Sequence, residues 1–139
     1  MINRVLDLQK LTVRQVMVPL DQVVSVSARA PMTEALKLCR EKNLTRLPVW
    51  DETAGRKKIT GVASIKTLLY QADFDATRAA GDYVKPAPFV PEEMRLEEAL
   101  QRIQKSGLRM AVVLRADGRE SGIVCLEDVL KAVFGEVVM

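Results

Sequence analysis

The chain has 139 residues, of which 48% are hydrophobic and 28% are charged, and its formal net charge is +3 at pH 7. This balance is typical of a folded globular protein. There is no histidine, and the two cysteines, Cys39 and Cys125, form no CxxC pattern, which excludes the common zinc sites and any His-based catalytic triad. Aromatic residues make up 4% of the chain, too few for a typical nucleic-acid surface.

Signals for membrane insertion and export are also missing from the sequence. Its apolar runs are short, such as Met110–Leu114, whereas a spanning helix needs about 18 apolar residues or more. No charged-then-apolar start resembles a signal peptide, and the two cysteines do not suggest a disulfide framework. The sequence therefore predicts a soluble piece in a reducing, cytoplasmic setting.

The first elements in chain order are a linker, a strand and a helix. Residues 1–10 predict a short amphipathic helix, interpreted as a linker or docking element. The β-branched residues around Val23–Val26 predict a strand. The next helix has Pro31 in its first turn and Cys39 on its buried side, so Cys39 is interpreted as a core residue.

A hairpin and a second helix complete this first unit. Leu47–Trp50 and Ile59–Ala63 predict two antiparallel strands, with the basic run Arg56–Lys58 at a solvated hairpin tip. The apolar pair Leu68-Leu69 then indicates the closing helix. The unit is thus strand, helix, strand, strand, helix.

The same unit recurs in the second half of the chain. Glu34-Ala35-Leu36 returns 64 residues later as Glu98-Ala99-Leu100, and Gly61-Val62 returns 61 residues later as Gly122-Ile123. The second hairpin turns at Asp117-Gly118, a strong turn signal. These repeats predict domains at 11–75 and 76–139, here called copy one and copy two, after the linker at 1–10.

The last helix of copy two is predicted to be amphipathic. An apolar stripe at i, i+3, i+4, i+7 and i+8 runs along it, and Gly135 is expected to end it. Val129, Val133 and Phe134 of this stripe are consistent with a partner surface, and we expect a homodimer.

Four segments, taken in chain order, resemble motifs of the cystathionine-β-synthase (CBS) domain. They are an opening V-M-x-P, a S/T-R-x-P-V strand entry, and two strand-to-helix junctions of the form G-h-h-S/T-x-x-D, at Val16–Pro19, Thr45–Val49, Gly61–Thr67 and Gly122–Asp128. The resemblance implies a mixed α+β fold, with two β-α-β-β-α units packed by pseudo-twofold symmetry. It also implies a regulatory module that binds an adenine nucleotide, AMP or ATP, the latter with Mg²⁺, and not an enzyme.

A branch of that family is also indicated. Arg109–Val113, Gly122–Leu130 and Lys66–Leu69 are similar to segments of magnesium/cobalt-efflux and hemolysin-C-like proteins. In that branch the CBS pair lies between membrane and accessory domains. The resemblance therefore implies a fragment from the cytoplasmic face of the cell membrane, with the parent's membrane and accessory domains as partners.

The junction of copy two has residue types that suit a nucleotide. Gly122 admits a close backbone approach, and the helix after it offers free N–H groups to a phosphate. Asp128, in the first turn, is able to accept two hydrogen bonds from a ribose diol. Cys125 stands where the family has Ser or Thr, and a thiol is the poorer hydrogen-bond donor. Alternatively, Asp128 only stabilises the helix dipole.

The other expected contacts come from the strands. Val84, Pro86, Ala87 and Phe89 are expected to enclose the adenine, and Lys85 and Arg109 to bind phosphate, Arg109 with the better geometry. In copy one, Thr67 replaces the acidic residue, while Ser64 and Arg46 keep a hydroxyl and a phosphate partner. Copy one is therefore predicted to be the weaker site.

Two alternatives from other classes stay open. One is a ligand-free dimerisation scaffold of a membrane protein. The other, nucleic-acid binding through the basic surface, is disfavoured by the scarcity of aromatic residues. Catalysis lacks a visible nucleophile–base pair or metal constellation.

Overall fold

The computed structural model describes residues 11–53 and 55–138, with side chains up to Ala132 except that of Thr53. The predicted linker helix at 1–10 lies outside the described residues. The chain divides into two compact units. The central unit is Val24–Pro86, and the split unit combines the chain up to Val23 with the chain from Ala87 onwards.

Seven strands and five helices form in the described residues, joined by two short 3-10 turns at Leu20–Gln22 and Ala80–Tyr83. The strands are β1 (Val18–Pro19), β2 (Val26–Ser27), β3 (Arg46–Thr53), β4 (Arg56–Ser64), β5 (Phe89–Pro91), β6 (Met110–Leu114) and β7 (Glu120–Cys125). The helices are α1 (Val13–Val16), α2 (Met32–Lys42), α3 (Ile65–Leu68), α4 (Leu96–Ser106) and α5 (Leu126–Val138).

The central unit has a three-stranded sheet in the order β2-β3-β4, with β2 parallel and β4 antiparallel to β3. Its core lies between this sheet and α2, where Met32, Ala35, Leu47 and Val49 are fully buried. Cys39 belongs to this core, as predicted, and burial raises the pKa of its thiol above the ordinary value of 9.0. The element order is therefore the predicted β-α-β-β-α.

The split unit has a four-stranded sheet in the order β1-β7-β6-β5. Its strands β5 to β7 with α4 and α5 repeat the β-α-β-β-α pattern, and Val90, Leu96 and Ile103 are buried in its core. The predicted Asp117-Gly118 turn is confirmed, since Gly118 has φ 85° and its N–H donates to the Arg115 carbonyl. The mixed α+β class is confirmed, and the pseudo-twofold packing stays a prediction.

Equivalent residues end the first long helix of each unit. Asn43 after α2 has φ 56°, and Gly107 after α4 has φ 77°. Both positions require the left-handed conformation that Gly and Asn adopt most readily. The 64-residue repeat thus extends to the backbone conformation of the helix caps.

The hairpin of the central unit is longer than predicted. Its first strand ends at Thr53 and its second begins at Arg56, and Gly55 with φ 78° lies in the turn between them. Lys57 and Lys58 are therefore strand residues opposite Glu52 and Asp51, so the prediction that they form the tip is wrong. Opposite charges across the strands and the Lys57 ammonium, 4.2 Å from the Trp50 ring centre, explain the extension.

Three smaller predictions also need correction. Only Val26 of the strand predicted at Val23–Val26 enters the sheet, in β2. Pro31 is the residue before α2 rather than part of its first turn. The last helix continues past Gly135 to Val138, because an interior glycine costs a helix only about 1 kcal/mol.

The apolar stripe of α5 is not a free surface throughout. Val129 is fully buried in the core of the split unit, where it packs with Val13 and Val124. The side chains of Val133 and Phe134 lie outside the described residues. Val129 is therefore unavailable to a partner, and the prediction of a homodimer loses one of the three residues on which it was based.

Candidate functional site

The junction between β7 and α5 in the split unit gathers the main residues predicted from copy two. We call Gly122–Asp128, with Arg109 and β1, the Asp128 junction. The first N–H group of α5, from Leu126, donates to the Arg109 carbonyl at 2.8 Å. One of the helix N–H groups expected to be free for a phosphate is thus already hydrogen-bonded to the protein. The next N–H groups along the helix are those of Glu127 and Asp128.

Asp128 is the third residue of α5 and is half-buried. Within the described part of the chain, its carboxylate makes no hydrogen bond or ion pair. A carboxylate at this position interacts favourably with the helix dipole and keeps its oxygens available as acceptors. The geometry is therefore compatible with binding a diol.

Arg109 is engaged within the same junction. Its Nε–H donates to Glu127 Oε1 at 3.1 Å, and the two side chains are 52% and 49% exposed. The guanidinium predicted to bind phosphate is thus held at the first turn of α5 by a carboxylate of that turn. Cys125, which precedes the helix, is half-buried and is not in a disulfide.

The neighbouring strand β1 packs directly against Gly122, so this glycine does not face an open space. Pro19 and Val18 of β1 pair with Gly122 and Ile123 of β7 in antiparallel register. A Cβ at Gly122 would overlap the Val18 carbonyl oxygen and would lie 3.3 Å from Met17 Sδ. The close approach expected at this glycine is therefore real, but the group that approaches it is protein backbone.

Sequence reasoning missed β1 as part of this site. The segment Val16–Pro19 begins copy one, yet it completes the sheet of copy two. A signal was present, because Val84–Pro86 is the equivalent segment near the start of copy two and also ends in proline. The structure pairs that segment with copy one, where the Lys85 and Val62 backbones exchange two hydrogen bonds of 2.9 Å.

The equivalent junction of the central unit, Gly61–Thr67 with Lys85, is called the Thr67 junction. The Ile65 N–H donates to the Thr45 carbonyl at 2.9 Å, as Leu126 does to Arg109. Ser64 Oγ and Thr67 Oγ1 lie 3.1 Å apart and form a hydrogen bond. Arg46 is opposite Ser64 in the β3–β4 register. The junction thus holds hydroxyls and cations.

The residues expected to enclose the adenine are divided between the units. Val84 and Pro86 belong to the central unit, whereas Ala87 and Phe89 belong to the split unit. Ala87 is buried, at 8% exposure, and Phe89 is 49% exposed. Within the split unit, Gly122 lies between Pro19 of β1 and Val113 of β6, so β1 rather than Val84 and Pro86 adjoins the glycine.

In the described residues, no group of three His, Cys, Asp or Glu side chains is arranged to hold a metal ion. Over the same residues, no helix has the length and apolar character required to cross a membrane.

The CBS domain family matches the chain twice, at residues 13–72 and 80–135. The chain belongs to the CBS domain family. The strand-to-helix junctions at Thr67 and Asp128 both lie within the matched residues. The prediction that the chain is not an enzyme is confirmed by its membership of the CBS domain family.

Relatives place the chain in the CNNM/CorC branch of the family. It is 30% identical to the magnesium and cobalt efflux protein CorC of Escherichia coli over 99% of the chain and 47% of that protein. The chain thus spans about half the length of this relative. A solved CBS domain of a bacterial CNNM/CorC family Mg²⁺ transporter, in complex with ATP, has a TM-score of 0.83. It is 33% identical and covers 96% of this chain and 94% of its own.

A CBS protein with a different nucleotide has the same fold. CBSX2, solved in complex with AMP, is 26% identical and has a TM-score of 0.73. The alignment covers 91% of this chain and 98% of that one. Adenine nucleotides are thus the ligands of two of the structural relatives.

Proposed function

We propose that this chain is a regulatory module that binds AMP or ATP at its Asp128 junction, and that it belongs to a magnesium-transporting membrane protein. The half-buried Asp128 carboxylate is the observation on which the proposal depends, since it has no partner within the described residues. A ribose diol supplies the two donors that such a carboxylate accepts. The ATP complex of a relative with a TM-score of 0.83 supports a nucleotide as the ligand.

The remaining groups of the junction have defined roles in this proposal. Arg109 binds a phosphate, and the N–H groups of Glu127 and Asp128 add the positive end of the helix dipole. Cys125 takes the place of a hydroxyl donor with a weaker thiol. Gly122 positions β1 beside the site. Mg²⁺ accompanies ATP through its phosphate oxygens.

The Thr67 junction is the weaker site. Ser64 and Thr67 there bond to each other, and Arg46 and Lys85 attract anions without supplying an acceptor for a ribose. The ligand regulates by stabilising one conformation of the module over another, which requires different affinities for the two conformations.

The relatives support a proposal for the wider setting of the chain. We propose a homodimer at the cytoplasmic face of the membrane, joined to the membrane and accessory domains of the parent protein. The 47% share of CorC that the chain covers leaves room for such domains. Regulation of magnesium transport is then the biological role.

Calorimetric titration with AMP and ATP tests the site. Replacing Asp128 by Ala removes a charge-assisted hydrogen bond of about 1.5–3 kcal/mol, so affinity should fall roughly tenfold to hundredfold. The matched control is Glu98→Ala, because Glu98 is likewise the third residue of a helix, α4 in the same unit. Both variants lose a favourable interaction with a helix dipole, but only Asp128→Ala should lose the nucleotide.

Two results would contradict the proposal in different ways. Equal affinity of the wild type and Asp128→Ala, with the same drop in melting temperature in both variants, would reduce Asp128 to a helix-stabilising residue. Failure of the wild type to bind any adenine nucleotide would instead favour the ligand-free dimerisation scaffold.

A further inference from the structure

Arg109 is brought to the first turn of α5 by both its backbone and its side chain. Its carbonyl accepts the Leu126 N–H at 2.8 Å, and its guanidinium donates to Glu127 at 3.1 Å. Both side chains of the ion pair are about half exposed, so solvent and solutes reach them. The cation at the N-terminus of α5 is thus already paired with an anion of the protein.

A phosphate at this position would compete for the same cation. Carboxylate and phosphate oxygens both match the donor geometry of a guanidinium. A phosphate monoester also brings negative charge close to the Glu127 carboxylate, which is unfavourable. Glu127 therefore opposes a charged ligand in two ways, by pairing with Arg109 and by repulsion.

We propose that Glu127 determines the ligand selectivity of the Asp128 junction by occupying Arg109 until a ligand phosphate displaces it. This inference rests on the proposed nucleotide binding at the same junction. Adenosine carries no phosphate and has no reason to displace the Glu127 carboxylate. The residue therefore lowers the affinity for AMP and leaves that for adenosine unchanged.

The size of the effect follows from the exposure of the pair. Half-exposed ion pairs are weak, and losing one corresponds to about a twofold to fivefold change in an equilibrium constant. Glu127→Gln keeps the shape of the side chain and removes its charge. AMP should therefore bind Glu127→Gln about twofold to fivefold more tightly than wild type, with adenosine unaffected.

A matched control separates this effect from the helix dipole. Glu97 is the second residue of α4, as Glu127 is of α5, so Glu97→Gln removes the same charge from the same helical position. It should leave the affinity for AMP unchanged. The titrations use AMP and adenosine without divalent cations, so that metal binding does not contribute.

Repeating Glu127→Gln in an Arg109→Gln protein distinguishes two effects of Glu127, its pairing with Arg109 and its repulsion of the ligand phosphate. If Glu127 acts by occupying Arg109, the gain from Glu127→Gln becomes smaller when Arg109 is absent. An equal gain in both backgrounds would overturn the proposal, as would AMP affinity in Glu127→Gln equal to or below that of the wild type. Absence of binding of both AMP and adenosine to the wild type would overturn the proposed function as well, and is distinguishable from those results.

Discussion

Replacing Gly122 by Ala tests the contact between β1 and β7 that shapes the site. The new Cβ would overlap the Val18 carbonyl oxygen and lie 3.1 Å from the Val18 carbonyl carbon, so backbone rather than a flexible side chain must move. Overpacking of this kind costs about 1–3 kcal/mol. At about 4 °C per kcal/mol for a domain of this size, the melting temperature should fall by about 4–12 °C.

The assay is a thermal melt followed by circular dichroism, with Gly107→Asn as the control. Gly107 has φ 77° and nothing within 4 Å of a Cβ, and Asn43 occupies the equivalent position of the central unit. Asn adopts this conformation readily, so the control should change the melting temperature by no more than about 1–2 °C. A melting temperature of Gly122→Ala equal to that of the control would refute the close packing of β1 on β7.

Two further predictions concern single side chains. Cys39 should react with a thiol reagent such as Ellman's reagent much more slowly than Cys125 at neutral pH, because Cys39 is buried and burial raises its pKa; equal rates would contradict this. Hydrogen bonds from Thr77 hold the pKa of Asp75 below its ordinary value of 3.8, so its contribution to stability is present above that pH and is lost as pH falls through the lowered pKa. The free energy of unfolding, measured with urea, should fall more between about pH 5 and pH 3 in the wild type than in Asp75→Ala. An equal fall in both proteins would contradict the lowered pKa of Asp75.

The repeat in the sequence predicted most of the secondary structure. Equivalent apolar positions specify the two β-α-β-β-α patterns, because the same spacing buries the same faces in both units. The residues that end the helices follow the repeat as well, with Asn43 equivalent to Gly107. Family motifs then located the strand-to-helix junctions at Thr67 and Asp128.

The pairing of the opening strands could not be predicted in the same way. Consecutive strands usually pair, so Val16–Pro19 would be expected to join the sheet of the copy that it begins. The strand β1 has two residues, which is too short for an apolar pattern to indicate its partner. Its place in the sheet is evident only from its pairing with Gly122 and Ile123, where a side chain at residue 122 would not fit. The Arg109–Glu127 pair was missed for a related reason, because it forms only where the start of β6 meets the start of α5.

The chemistry of the two junctions differs more than their backbones do. Each has a glycine against the backbone of a neighbouring segment, and a helix whose first N–H donates to a carbonyl. At the Thr67 junction the helix has 4 residues and the Ser64 and Thr67 hydroxyls satisfy each other. At the Asp128 junction the helix has 13 residues and its first turn contains an available carboxylate. A longer helix has the larger dipole, and a carboxylate is the stronger acceptor for a ribose, so the proposed nucleotide binding is expected at the split unit. A nucleotide titration should therefore report on Asp128, and we expect Thr67→Ala to leave the measured affinity nearly unchanged.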